Sequence, residues 1–249
     1  DVEGWPANCH GDLCNRKQGL HLLSLIHSGR VLGGFASPPC STVTPARHKF
    51  VGINGPRPLR ARNDVWELLP NRSEKEEKAV FLGNLLFLLC LGLLGEMQIY
   101  GAWIGLEQPA DRKKEPFVSF LNSPQVCSFL QRFRVKIYTT HQCMFGAISI
   151  KPTDLILPSG SDSIVRFCSH PYKHTPLIGL DAAGGFRTAP SAQYPADLSQ
   201  ALAGLFVQRC LLVNAKGYVR PYRQVCPPTI GSSLFSSPWD PCSAAAWEW

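Results

Sequence analysis

An open, mainly parallel α/β sheet with flanking helices is the fold class that this sequence predicts. Three observations predict it. Short apolar runs alternate with stretches of helical periodicity between residues 15 and 208. Two of those runs, 31–36 and 102–106, end in turns that contain proline. The composition is that of a packed chain: of 249 residues, 45% are apolar and 17% charged, which excludes a disordered polymer.

The elements follow in order. Asn15 to Ser28 reads as a helix with Leu22, Leu23 and Ile26 on one face and Gly29 as its stop. Val31 to Ala36 is a short strand that runs into Ser37-Pro38-Pro39-Cys40, a turn stiffened by two prolines. A loop rich in basic residues extends to about Asn71. A helix runs from Ser73 to Gly95, with Ser73 and Glu76 at capping-box spacing. Ala102 to Leu106 is the second strand and ends in Glu107-Gln108-Pro109. Pro124 to Phe133 is a short helix, Arg134 to Thr139 a strand and Asp154 to Leu157 a fourth strand. Pro195 opens the last helix, to Gln208. From Leu211 onward there is no periodicity, so residues 1–210 form the expected domain and 211–249 an irregular, poorly ordered tail.

One stretch has two readings. Ala79 to Gly95 is almost purely apolar and as long as a short membrane span. Asn84 inside it and the charged, capped turn before it favour a helix buried against the sheet.

Lys and Arg number 25 against 18 Asp and Glu, an excess that suits a polyanionic partner. Part of it is local. Arg47, Lys49, Arg57, Arg60 and Arg62 lie within sixteen residues of one loop with no acidic residue among them, which suits contacts to phosphates. The ten cysteines are scattered, without the spacing of a disulfide framework. That implies a reducing, intracellular compartment, and the nucleus if the partner is DNA. Cys168, His170 and His174 are three weak candidates for metal ligands. Cys143 or Cys210 could supply a fourth, but the Cys-X-His spacing is a poor match to common zinc sites, and no metal is expected.

In open α/β sheets, ligands bind beyond the carboxyl ends of the strands. The turns at Cys40 and Glu107 both fall at such ends. A thiolate fixed by prolines can attack carbon six of a cytosine, and a carboxyl group can serve N3 of the ring. The base must first leave the duplex, which calls for phosphate clamps around the site.

Pro38-Pro39-Cys40 resembles the turn that carries the nucleophile in the DNA (cytosine-5)-methyltransferase family. Leu106-Glu107-Gln108-Pro109 resembles the family's Glu-Asn motif, with Gln108 in place of Asn. Gln142 to Gly146 followed by Lys151-Pro152-Thr153 is similar to the segment in which a Gly and a basic residue precede the next strand. Phe186-Arg187-Thr188 through Tyr194-Pro195 and the following helix resembles the last motif, which packs beside the cofactor. The resemblance covers about residues 12–208 and is nearest to minimal domains of protist genomes, some beside retroelement sequences.

It implies a class I, Rossmann-like methyltransferase fold that uses S-adenosylmethionine. Cys40 would be the nucleophile and Glu107 the group at N3. Asp1, Asp12, Pro39 and Tyr194 would hold the cofactor. Arg47, Lys49, Arg57, Arg60, Arg62 and Lys151 would contact nucleic acid, with DNA the expected partner. The departures from the family also carry weight. Its first strand and glycine-rich donor loop would lie before Asp1, so the domain is expected to be N-terminally truncated and degenerate. The segment between Thr153 and Arg187 is too short for a large target-recognition domain. Gln108 is expected to disturb the turn behind the nucleophile. Little or no methyl transfer is therefore expected. The other readings are a non-catalytic nucleic-acid-binding module and a protein anchored to a membrane by 79–95.

Overall fold

Local signals start three of the helices. The Asn15 side chain accepts the Lys17 amide and opens α1 (Arg16–His27). Ser73 and Glu76 form a full capping box at the head of α2 (Glu74–Ile99). Ser123 and Pro124 open α3 (Pro124–Arg132). The last helix is α4 (Ala196–Ala215). The computed structural model describes residues 13–49, 56–61, 64–177, 179, 185, 187 and 193–215.

Four strands form one sheet: β1 (Gly33–Ala36), β2 (Trp103–Pro109), β3 (Val135–His141) and β4 (Pro152–Pro158), in the order β1-β2-β4-β3. The β1 and β2 strands are parallel, joined by α2 as the crossover. The other two pairings are antiparallel. The sheet is therefore mixed rather than mainly parallel. The reason is chain length. Only residues 142–151 link β3 to β4, and a parallel crossover needs about a dozen residues or more. The chain turns back on itself, and β4 enters between β3 and β2.

Both faces are covered. On one, α1, α2 and α3 bury Ile26, Phe87, Leu91, Leu94, Val126 and Phe129 against Ile104, Leu106 and Ile156. On the other, α4 brings Leu198 and Leu202 against Trp103, Leu155 and Leu157. Alternation along β2 and β4 assigns each residue to its face. Gly34 lets α2 approach, since a Cβ there would lie 2.6 Å from Met97 Sδ. A Cβ at Gly105 would lie 2.5 Å from the Phe35 ring, so glycine seats that ring on the α4 side.

Helix α2 extends one turn beyond Gly95. By length and composition it could cross a membrane. Val80, Gly83, Asn84, Phe87, Cys90, Leu91, Leu94 and Met97 form a buried stripe along it at helical spacing. Phe81 and Leu82 lie exposed on its outer side. Helix α4 continues to Ala215, past the residue where the irregular tail was expected to begin. Residues 216–249 of that tail lie outside the described residues.

Candidate functional site

Because β1 and β2 run parallel, their carboxyl ends meet at the same edge of the sheet. The turn after β1 thus lies against the end of β2. Ser37 Oγ donates a 2.8 Å hydrogen bond to Glu107 Oε2. Gln108 Nε2 donates to the Pro38 carbonyl at 3.1 Å. Gln108 therefore fastens the turn it was expected to disturb, although its own Oε1 is buried without a partner. Glu107 is 3% exposed and Gln108 is 1% exposed. The Val43 amide donates to the Cys40 carbonyl and closes the turn.

Cys40 is half-buried. Burial raises its thiol above the ordinary range, and the Glu107 charge adds to that rise. Lys151 opposes both, and the balance leaves the thiol protonated at neutral pH. Tyr194, just before α4, completes the cluster. Its ring meets Phe35 edge-on at 6.0 Å, and Lys151 Nζ lies 5.6 Å from its centroid. Burial first, then the Glu107 carboxylate, hold the phenol neutral. Its hydroxyl is buried and faces Ser37 and Glu107 without a well-formed hydrogen bond to either.

Within the basic loop, Arg60 departs from its expected role. Arg60 is 2% exposed. Its guanidinium donates to the Val65 carbonyl, to Thr42 Oγ1 and to Asn84 Oδ1, and lies over the Phe120 ring. It holds the loop against α2 and has no face left for a phosphate. Burial pulls it down to about 10, so it stays charged at neutral pH. Arg47 donates to the carbonyls of Ser41 and Arg57, and Arg57 pairs with Glu76 at 3.0 Å. Lys49 is exposed. Arg62 lies outside the described residues.

Of the four residues expected to hold S-adenosylmethionine, Pro39 and Tyr194 are described. Asp1 and Asp12 lie outside the described residues. Pro39 has no N–H to offer, and Tyr194 turns its hydroxyl toward Ser37 and Glu107. By themselves these two bring no carboxylate for a ribose, and the acids expected in that role lie outside the described residues. Phe186 and Thr188 of the last motif are also outside the described residues.

Away from this edge, Cys168, His170 and His174 come together with Cys143. Their four ligand atoms all lie within 4.8 Å of one another. Sequence reasoning named Cys143 only as one of two candidates, since 24 residues separate it from Cys168. It assigned Ser37 no role, because an exposed serine beside two prolines carries no signal of its partner. Comparison with family models, with curated proteins and with solved structures finds no match for this chain.

Proposed function

We propose that this chain is a degenerate cytosine-methyltransferase-like domain that engages nucleic acid at the Cys40–Glu107 edge and transfers little or no methyl group by itself. The observation that carries this reading is the pairing of a proline-held cysteine with a buried carboxyl group across two parallel strand ends. Addition of a Cys40 thiolate to carbon six of a cytosine would form an S–C6 bond. The electrons displaced from the C5–C6 double bond would move toward N3, which would take up the proton that the Cys40 thiol gives up, passed on by the Glu107 carboxylate. The thiol proton must leave first, and the buried, anion-facing setting of Cys40 opposes that. This setting favours recognition over turnover. Lys49 and Lys151 are the basic groups best placed to meet phosphates, since Arg60 is committed inside.

The test pairs binding with transfer. Wild type and Cys40→Ser are compared on cytosine-containing single- and double-stranded DNA across a salt series, and with tritiated S-adenosylmethionine. Both proteins should bind with an affinity that falls as salt rises, and neither should incorporate label above background. Robust incorporation lost in Cys40→Ser contradicts the non-catalytic half of the reading. Salt-independent or absent binding contradicts the nucleic-acid half.

A further inference from the structure

We propose that Cys143, Cys168, His170 and His174 bind one zinc ion as a closed structural site that fastens the 168–174 loop to the turn after β3. This does not rest on the methyltransferase reading.

The chain brings these residues together by a chain of backbone contacts. After β3, residues Gln142–Phe145 form a tight turn that places Cys143 inside, 4% exposed. The returning segment pairs with the end of β3. The Arg166 amide donates to Thr140 Oγ1, and the His141 amide donates to the Arg166 carbonyl. The Cys168 amide then donates to His141 Nδ1 at 3.0 Å, which sets Cys168 beside Cys143. His170 and His174 follow with three residues between them, the separation found for histidine pairs in structural zinc sites.

The distances suit the ion. Zinc–sulfur bonds of about 2.3 Å and zinc–nitrogen bonds of about 2.0 Å put tetrahedral ligand atoms roughly 3.3–3.8 Å apart. Cys168 Sγ lies 3.5 Å from His170 Nδ1 and 3.1 Å from His174 Nε2. All four atoms fall within 4.8 Å of one another, so a small inward movement completes the set. Two sulfurs and two imidazole nitrogens in a tetrahedron are a zinc donor set. Four protein ligands leave no open position, which makes the site structural rather than catalytic.

Without an ion the cluster sets the Cys168 thiol against two imidazole nitrogens at close range. The imidazoles crowd together, with His170 and His174 centroids 5.2 Å apart and Tyr172 against both. A groove of about 610 Å³ lined by Cys143, His170 and Lys173 gives the ion a way in.

The experiment measures metal per chain by mass spectrometry after incubation with Zn²⁺ and a phosphine reductant, then dialysis. Wild type and Cys40→Ser should each hold one zinc. Cys168→Ser and His174→Ala should bind it at least about 100-fold more weakly. Should those variants fail to fold, Co²⁺ added to the wild-type chain gives an independent reading. A tetrahedral sulfur-ligated site shows intense visible bands and sulfur-to-metal charge transfer. A folded wild-type chain that holds no stoichiometric zinc overturns the proposal. So does a Co²⁺ spectrum without sulfur charge transfer, or a Cys143–Cys168 disulfide that takes no zinc once reduced. Zinc retained in Cys40→Ser keeps this result separate from the reading of the Cys40–Glu107 edge.

Discussion

The two faces of this sheet solve opposite problems. Under α1, α2 and α3 lie Phe87, Leu91, Leu94 and Ile104, and the charged group packed among them, Arg60, finds three acceptors. On the α4 side, Trp103, Leu155 and Leu157 make a smaller core. There the Cys143, Cys168, His170 and His174 side chains gather, and the Tyr194 hydroxyl faces Ser37 and Glu107. Buried atoms without a partner occur on both sides, Arg60 Nε and Trp66 Nε1 on the first and Tyr194 Oη on the second, so they do not by themselves mark a site. The comparison teaches that the first face is packed around one buried cation, whereas the second side carries gathered thiol, imidazole and phenol groups.

The largest effect should come from breaking the packed face. Arg60→Met removes the donors to Thr42, Asn84 and the Val65 carbonyl in one step. Leaving those acceptors buried and unpaired should cost about 3 kcal/mol, read as a lower urea midpoint. Its DNA affinity, corrected for the folded fraction, should stay within about twofold of wild type, because a buried guanidinium contributes no phosphate contact. A large loss of affinity with unchanged stability would place Arg60 on the binding surface instead.

The smaller effect belongs to the other face. Tyr194→Phe deletes a buried hydroxyl that faces Ser37 and Glu107 without a well-formed hydrogen bond to either. Removing an unsatisfied polar atom while keeping the ring should leave stability unchanged or raise it by up to about 1 kcal/mol. A loss above about 1 kcal/mol would show that the hydroxyl is bonded in solution, and would blur the contrast between the faces.

Much of this was legible in the sequence, for identifiable reasons. The capping box at Ser73 and Glu76, the apolar run after it and the strand from 102 are local signals, and each appears where the pattern put it, but β2 runs on through Glu107, Gln108 and Pro109, which pair with β4 rather than form the expected turn. The convergence of Cys40 and Glu107 was legible because a strand, crossover helix and strand make their carboxyl ends coincide. The direction of β4 was not, since the short run at 154–157 has no polarity of its own. Only the short link after β3 could have revealed it. Arg60 was misread for a similar reason. Composition counts it with the solvent-facing cations, and nothing nearby in the sequence discloses the acceptors on Thr42 and Asn84. The Cys143 partnership needed the backbone pairing of 140–141 with 166–168, which no motif encodes.

The most direct test of the central claim is covalent trapping of Cys40. An oligonucleotide carrying 2-pyrimidinone in place of cytosine accepts a thiolate at carbon six without any methyl donor. After incubation, the chain is digested and the modified peptide located by mass spectrometry. The account predicts one adduct, at Cys40, lost in Cys40→Ser and slowed about 100-fold in Glu107→Gln. The thiol is held above its ordinary range, so the rate should climb about tenfold per pH unit through neutral pH and beyond about 8.5, the usual thiol value. No adduct at any pH, or equal labelling of the other cysteines in the folded chain, would contradict it.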